Sequence, residues 1–213
     1  MSRLALSLFS AIAALPAAAA TLDVHARDAA GAPLADVAIY AMPASGPVEA
    51  RATSARLGEV EQVDREFVPY VTVVQTGTSV AFPNRDPILH HVYSFSPAKP
   101  FEIKLYSGKS PREITFDRAG VVTLGCNIHD WMVGYIVVVS TPYFGRTDGQ
   151  GHVRIADLPA GRYTVHAWHP RQRTQVAAQE ASLEAQSTFA PAFTIDAAPR
   201  KVRYKPPLDR LKY

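Results

Sequence analysis

Short apolar runs separated by Gly, Pro and Asn recur along this chain, and no long run repeats at the spacing of a helix. Short runs with turn residues between them are typical of a small antiparallel β-sandwich. Gly77 and Gly120 mark two of the central turns. The central strand candidates are residues 67–74, 78–82, 91–95, 113–116, 121–125 and 134–140. The sequence therefore predicts an all-β protein.

A different strand pattern lies on either side of this central part. Residues 22–42 contain D-x-x-G-x-P-L-x-x-V between two strand-like runs, and residues 147–168 contain T-D-x-x-G and L-P-x-G-x-Y. Each piece alone is too short to bury a core. Together they resemble the first and last parts of a carboxypeptidase regulatory-like (transthyretin-like) β-sandwich. The resemblance implies that the central strands replace the middle of that domain.

The first twenty residues have the features of an export signal. Residues 1–20 carry one early arginine, a short apolar run, and small residues at Ala18 and Ala20. The apolar run is shorter than the ~20 residues that a membrane-spanning helix needs, and no later stretch comes closer. We therefore expect a secretory signal peptide, a mature chain that begins near Thr21, a periplasmic location and no membrane span.

Charge and motif content exclude several classes of function. The net charge of +3 is too small to suggest nucleic-acid binding. No Ser-His-Asp order, paired-carboxylate spacing or Gly-rich phosphate loop supports hydrolysis or nucleotide chemistry.

Residues 197–213 hold six Lys or Arg against one acidic residue, with three prolines. This composition indicates an extended basic tail, either simply solvated or acting as a docking arm for an acidic partner.

The single cysteine carries the strongest chemical signal. Exported proteins commonly use cysteines in disulfides, but Cys126 has no second cysteine to pair with. It could be an inert buried thiol, yet it opens the run C-x2-H-x2-M, with His129 and Met132 on the same predicted loop. A thiolate with two imidazoles and a weak axial thioether is the ligand set of an electron-transfer copper site. The missing imidazole would come from the pair His90-His91.

The segment FPNRDPILHHVYSFS, together with the C-x2-H-x2-M loop, resembles the cupredoxins, in particular their plastocyanin-like and amicyanin-like blue copper domains. The resemblance covers roughly residues 60–140. It implies a Greek-key β-sandwich that holds one type 1 copper ion per chain. Carried over residue by residue, the copper ligands would be His90, Cys126, His129 and Met132.

This chain departs from the cupredoxin pattern beside the ligands. His91 stands where the family usually has an asparagine that braces the ligand loops, so it either takes over that role or competes with His90 as the ligand. Gly125 replaces a common aromatic residue and Ile128 a common proline. The redox potential of the family is therefore not carried over to this chain.

The resemblance implies an electron carrier and not an enzyme. Electrons would pass through the exposed edge of His129 to a redox protein such as a c-type cytochrome or a dehydrogenase. An apolar docking surface could be formed by residues next to the ligands in sequence, although two of them, Ile88 and Trp131, could instead only close the metal pocket. The candidates are Pro87, Ile88, Leu89, Ile128 and Trp131.

Three other interpretations stay open at this level. The metal could be cargo in a copper-delivery module, although only Met42 and Met132 remain after the signal peptide to act as exposed thioethers. Zinc also accepts sulfur and nitrogen ligands. A structural or adhesive sandwich would leave Cys126 unexplained. The other histidines are not expected to be ligands, although His166 and His169 could form a weak surface metal site.

The predicted domain organisation is discontinuous. Residues 1–20 form the signal peptide, 21–54 and 142–196 the regulatory-like sandwich, 55–141 the copper domain, and 197–213 the tail. If the copper domain is inserted in this way, Ala50 and Thr141 should lie near each other in space.

Overall fold

The computed structural model describes residues 19–48, 57–108 and 112–199, and all regular structure in these ranges is β-strand. Nearly all of the predicted signal peptide, and the tail from residue 200 onward, lie outside the described residues. Among the residues that are described, no helix is long and apolar enough to cross a membrane. The all-β prediction is confirmed.

The strands divide into a flanking set and a central set. The flanking strands are β1 (Ala20–Asp28), β2 (Ala38–Pro43), β13 (Phe144–Arg146), β14 (His152–Leu158), β15 (Gly161–Trp168), β16 (Gln179–Leu183), β17 (Thr188–Phe189) and β18 (Ala192–Ile195). The central strands are β3 (Leu57–Glu59), β4 (Glu61–Val63), β5 (Glu66–Val68), β6 (Val71–Gln75), β7 (Thr78–Phe82), β8 (His90–Ser94), β9 (Phe101–Tyr106), β10 (Arg112–Phe116), β11 (Gly120–Gly125) and β12 (Val133–Val139).

The flanking strands form one sandwich. One sheet has the order β14-β1-β17, with β18 also paired to β1, and the other has the order β13-β2-β15-β16. Alternation along β1 buries Leu22, Val24 and Ala26 between the sheets and leaves Asp23 and His25 on the solvent side. The two halves of this core come from opposite ends of the chain, because β1 and β2 pair only with strands that follow residue 143 in the described ranges.

The central strands form a second sandwich with its own core. Its main sheet has the order β6-β12-β11-β8-β9, and β10-β7-β3 forms the facing sheet. Two neighbouring pairs of the main sheet, β6–β12 and β8–β11, join strands that are not successive in sequence, as Greek-key connections require. The buried side chains between these sheets include Phe82, Phe116, Leu124 and Ile136. This sandwich delivers the ends of β8 and β11 to the same place.

Between residues 66 and 140, two details of the strand prediction are wrong. Residues 67–74 form two strands, β5 and β6, because Pro69 lacks the N–H that a continuous ladder needs. Strand β9 was not predicted, since only Ile103 among its residues is buried and the apolar signal is correspondingly weak. β9 lies at the edge of the main sheet.

The two sandwiches meet through a small apolar cluster. Val71, Val137 and Val139 of the central sheet pack with Ala38 of β2. At the same junction Tyr135 meets Trp168 edge-on, with ring centroids 5.6 Å apart. Ala50 lies outside the described residues, but nearby Val48 donates a backbone hydrogen bond to Ser140 at 2.9 Å. The insertion of residues 55–141 into the flanking domain stays a prediction.

Gly151 fixes the turn that leads into β14. It has a φ of +70°, and a Cβ at this position would lie 2.3 Å from the carbonyl oxygen of Ala26. We expect Gly151→Ala to lower the free energy of unfolding by at least ~2 kcal/mol, because it adds left-handed strain to a backbone clash. Denaturant unfolding would measure the loss.

Gly149→Ala is the matched control for this prediction. A Cβ at Gly149 would meet nothing within 4 Å, so this change should alter stability by less than ~0.5 kcal/mol. Equal stability of the two variants would contradict the close approach of Gly151 to β1.

Candidate metal centre

The motif loop connects β11 to β12. Residues 126–132 leave the main sheet after Gly125, and Met132 N donates to His129 O at 2.9 Å, which turns the loop back into β12. Cys126, His129 and Met132 are 3%, 0% and 1% exposed. Cys126 and Met132 belong to the buried cluster of the central sandwich. The loop therefore directs its donor side chains into the protein.

The strand pairing brings His90 to this loop. β8 pairs with β11 at Tyr93 and Gly125, and His90 is the first residue of β8. Its Nδ1 lies 3.9 Å from Cys126 Sγ, and His129 Nδ1 lies 3.5 Å from the same sulfur. The three donor atoms lie within 4.8 Å of one another, and all three residues are buried. The structure thus places three of the four predicted ligands in one cluster.

His91 is directed away from the cluster. Its Nε2 lies 3.0 Å from Glu102 Oε1, without the angle of a hydrogen bond, and its ring faces Tyr93. The pairing of β8 with β9 is irregular between His90 and Val92, but the two histidine rings still lie on opposite faces of β8, so only one of them faces Cys126. That residue is His90.

The donor spacing fits a single bound ion. Metal–sulfur and metal–nitrogen bonds of about 2.3 Å and about 2.0 Å, about 120° apart, place sulfur and nitrogen about 3.7 Å apart. The two sulfur–nitrogen distances, 3.5 and 3.9 Å, bracket this value. A buried thiolate with two imidazoles suits copper or zinc better than magnesium or calcium.

A carboxylate holds the far side of His90. Asp86 Oδ2 lies 2.7 Å from His90 Nε2, and the Asp86 side chain is only 9% exposed. This contact favours the tautomer with its proton on Nε2, which leaves the Nδ1 lone pair facing Cys126. The two Asp86 oxygens also accept backbone hydrogen bonds from Asp64 and Arg65, at 2.8 and 2.9 Å. Those two residues form the turn of the β4–β5 hairpin.

Asn84 braces the segment that carries Asp86. Its amide donates to the carbonyls of Ile88 and Tyr106, at 2.8 and 3.0 Å, and its Oδ1 accepts from Asp86 N at 2.9 Å. The sequence leaves His91 as a possible bracing residue, but in the structure Asn84 makes these hydrogen bonds. The sequence showed Asn84 and Asp86 only as part of a family-like segment, and their contacts to His90 and the hairpin depend on the folded chain.

Burial keeps both imidazoles of the cluster neutral. Burial, and then the nearby charge of His90, lower the pKa of His129 to about 4. Burial also lowers the pKa of His90, although the hydrogen bond that its ring donates to Asp86 opposes that effect. The positive charge of Arg65 lowers both. Neutral imidazoles are the form that binds a metal.

Gly125 explains one departure from the cupredoxin pattern. A Cβ at this position would lie 2.7 Å from the ring of Tyr93. The aromatic ring that fills this space therefore comes from the neighbouring strand β8, and an aromatic side chain at position 125 would displace it.

One further sequence expectation is wrong, and one alternative that the sequence left open is not supported. His129 is 0% exposed, so it presents no edge to solvent; its ring contacts Trp131, which is only partly buried, with centroids 5.2 Å apart. His166 and His169 do not form a metal site. His166 stacks on Tyr40, while His169 is 1% exposed and its Nδ1 accepts from Arg171 N.

Comparisons with known proteins find similar structures only. No family model and no curated protein matches the chain. A purple cupredoxin from Nitrosopumilus maritimus is 21% identical over 38% of this chain and 99% of its own, with a TM-score of 0.35. Amicyanin from Paracoccus versutus is 19% identical over 47% of this chain and 98% of its own, with a TM-score of 0.36.

A third similar structure is the copper-containing nitrite reductase from Thermus scotoductus. It is 26% identical over 54% of this chain, with a TM-score of 0.39, and this chain spans only 28% of its length. The fold of this chain is defined by its own strand topology.

We expect Asp86→Asn to weaken metal binding about 10- to 100-fold, because an amide cannot accept from the imidazole and from both hairpin amides as the carboxylate does. Titration of the metal-free chain with Zn²⁺, or with Cu(I) in competition with a chelator, would measure the affinity. Asp117→Asn is the control, since Asp117 is exposed and pairs with Lys99. Unchanged affinity in Asp86→Asn would show that the carboxylate does not support His90.

The metal-free chain should lose stability as the pH falls from about 6.5 to about 4. Folding lowers the pKa of His129 and of His169, each to about 4, so in this range the unfolded chain binds more protons than the folded chain. The stability that the two neutral imidazoles provide is fully present above pH ~6.5. Below that pH the free energy of unfolding falls by at most ~1.4 kcal/mol per pH unit for each imidazole.

Urea unfolding at several pH values would measure this slope. His129→Gln and His169→Asn should each reduce it, whereas Gln150→Ala, at an exposed residue that does not titrate, should not. A slope that is the same in all three variants would show that buried imidazoles are not its source.

Proposed function

We propose that this chain is an exported, periplasmic electron carrier with one type 1 copper ion bound by His90, Cys126, His129 and Met132. The observation that carries the proposal is the buried cluster in which Cys126 Sγ lies 3.9 and 3.5 Å from two imidazole Nδ1 atoms. The export part of the proposal rests on the sequence of residues 1–20.

Bound copper would supply a one-electron couple between Cu(I) and Cu(II). The protein's own part is to hold the donors in one arrangement for both oxidation states. Asp86 fixes the ring of His90, and the turn at Met132 N fixes the position of His129 O. A rigid donor set keeps the structural change on electron transfer small.

The surroundings of the cluster keep water and substrates out. Cys126 and Met132 pack in the same core cluster as Phe82 and Leu124, and both histidines are fully buried. A substrate would need an open coordination position that it can reach from solvent. Closure of the site therefore favours an electron carrier over an enzyme.

Trp131 is the proposed exit for the electron. His129 has no exposed edge, but its ring contacts Trp131, which is partly exposed. Pro87 and Leu89 are exposed close to His90 in sequence, and Ile88 and Ile128 are partly exposed. These side chains are the proposed docking surface for a redox protein such as a c-type cytochrome or a dehydrogenase.

Visible absorption of the copper-loaded chain tests the site. A thiolate bound to Cu(II) should give a strong blue or green band that disappears on reduction and is absent in Cys126→Ser. His91→Ala is the matched control for His90→Ala: the first should keep the band and the second should lose it. A colourless copper adduct, or a chain that binds only zinc, would refute the type 1 copper assignment.

Redox cycling of the same protein separates a carrier from a copper-delivery module. A carrier should exchange electrons with a small cytochrome over many cycles without losing copper. Trp131→Lys should slow that exchange and preserve the coloured band, because the indole is not a ligand. If the reduced protein instead gives up Cu(I) readily to a chelating acceptor, copper is cargo and the delivery function replaces the carrier function.

A further inference from the structure

A second group of side chains that could bind a metal lies on the solvent face of the flanking sandwich, outside the central sandwich that carries the Cys126 loop. His25 on β1 and His152 on β14 are directly opposite each other in the antiparallel pair. Asp23 lies two residues before His25, and therefore on the same face. We propose that Asp23, His25 and His152 form a second site, which binds a divalent transition-metal ion such as Zn²⁺ or Cu²⁺.

The three side chains converge on one point. His152 Nε2 lies 2.5 Å from Asp23 Oδ1, and His25 Nε2 lies 3.9 Å from the same oxygen. The two imidazole rings are 4.9 Å apart between centroids. All three donor atoms lie within 4.8 Å of one another. An ion between them would need only small side-chain rotations to reach bonds of about 2.0–2.2 Å.

One carboxylate oxygen does not satisfy both histidines. The contact to His152 is a hydrogen bond, but 3.9 Å from His25 is too long for one. A divalent ion would satisfy all three donors at once. The half-exposed side chains leave room for water to complete the coordination.

The backbone at this site is fixed before any ion binds. Asp148 Oδ1 accepts from Gln150 N and His152 N, at 2.8 and 3.0 Å. Ala26 N donates to Gly151 O at 2.7 Å, which ties the turn to β1. On its other side β1 is paired with β18, where the small Ala192 is opposite His25. Only the three side chains have to adjust.

The chemistry of this site differs from that of the buried cluster. It offers nitrogen and oxygen without a thiolate, and it is open to solvent. Such donors suit Zn²⁺ and Cu²⁺, and an open site exchanges its ion readily. Arg154 lies opposite Asp23 in the strand pair, so its positive charge limits the affinity. This second site is independent of the proposed electron-transfer function.

Calorimetric titration of the untagged full chain with Zn²⁺ tests the proposal, using Cys126→Ser to remove the thiolate from the buried site. We expect one Zn²⁺ per chain, and at least a ten-fold loss of affinity in both His25→Gln and His152→Gln. His166→Gln is the matched control, because this histidine stacks on Tyr40 in the other sheet, and it should bind as the parent chain does. Wild-type chain loaded with one copper ion should likewise take up one Zn²⁺.

Nuclear magnetic resonance provides a second readout. Zn²⁺ should shift the imidazole signals of His25 and His152 together and leave that of His166 unchanged. The proposal is overturned if the Cys126→Ser chain binds no Zn²⁺, or if neither His25→Gln nor His152→Gln weakens binding. The coloured band belongs to copper bound at Cys126, and the Zn²⁺ titration uses the chain without that thiolate. Absence of the band would therefore refute the copper proposal without changing the Zn²⁺ result, so failure of the two proposals can be told apart.

Discussion

The pairing of β8 with β11 is the constraint on which the metal centre depends. Tyr93 and Gly125 face each other in this pair, and the missing side chain of Gly125 leaves the space that the Tyr93 ring occupies. The same pairing brings His90 to Cys126 across 36 residues of sequence. A shift by one residue would bring His91 to Cys126 instead and turn His90 away.

Asp86 links this pairing to the rest of the central sandwich. Its carboxylate is shared between the His90 ring and the two backbone amides of the β4–β5 turn. Because the carboxylate is almost fully buried, each of these hydrogen bonds is stronger than it would be in water. The ring orientation, the hairpin position and the Asn84 segment therefore stabilise one another.

The two groups of donors show how burial selects chemistry. The cluster around Cys126 lies inside an apolar core, where histidine pKa values fall and water is excluded. The group around Asp23 lies on a solvent face of the other sandwich. The first is suited to hold one ion permanently, and the second to exchange ions with the surroundings.

Sequence alone determined the all-β class and the C-x2-H-x2-M loop, because strand periodicity and short motifs depend on residues that are close in the chain. The family resemblance also favoured His90 over His91, but the position of His90 beside Cys126 depends on the register of β8 against β11. The contact of Asp86 with His90, the burial of His129 and the pairing of His25 with His152 came only from tertiary structure. These features join segments far apart in sequence, up to 129 residues for Asp23 and His152, and no local pattern encodes which strands become neighbours.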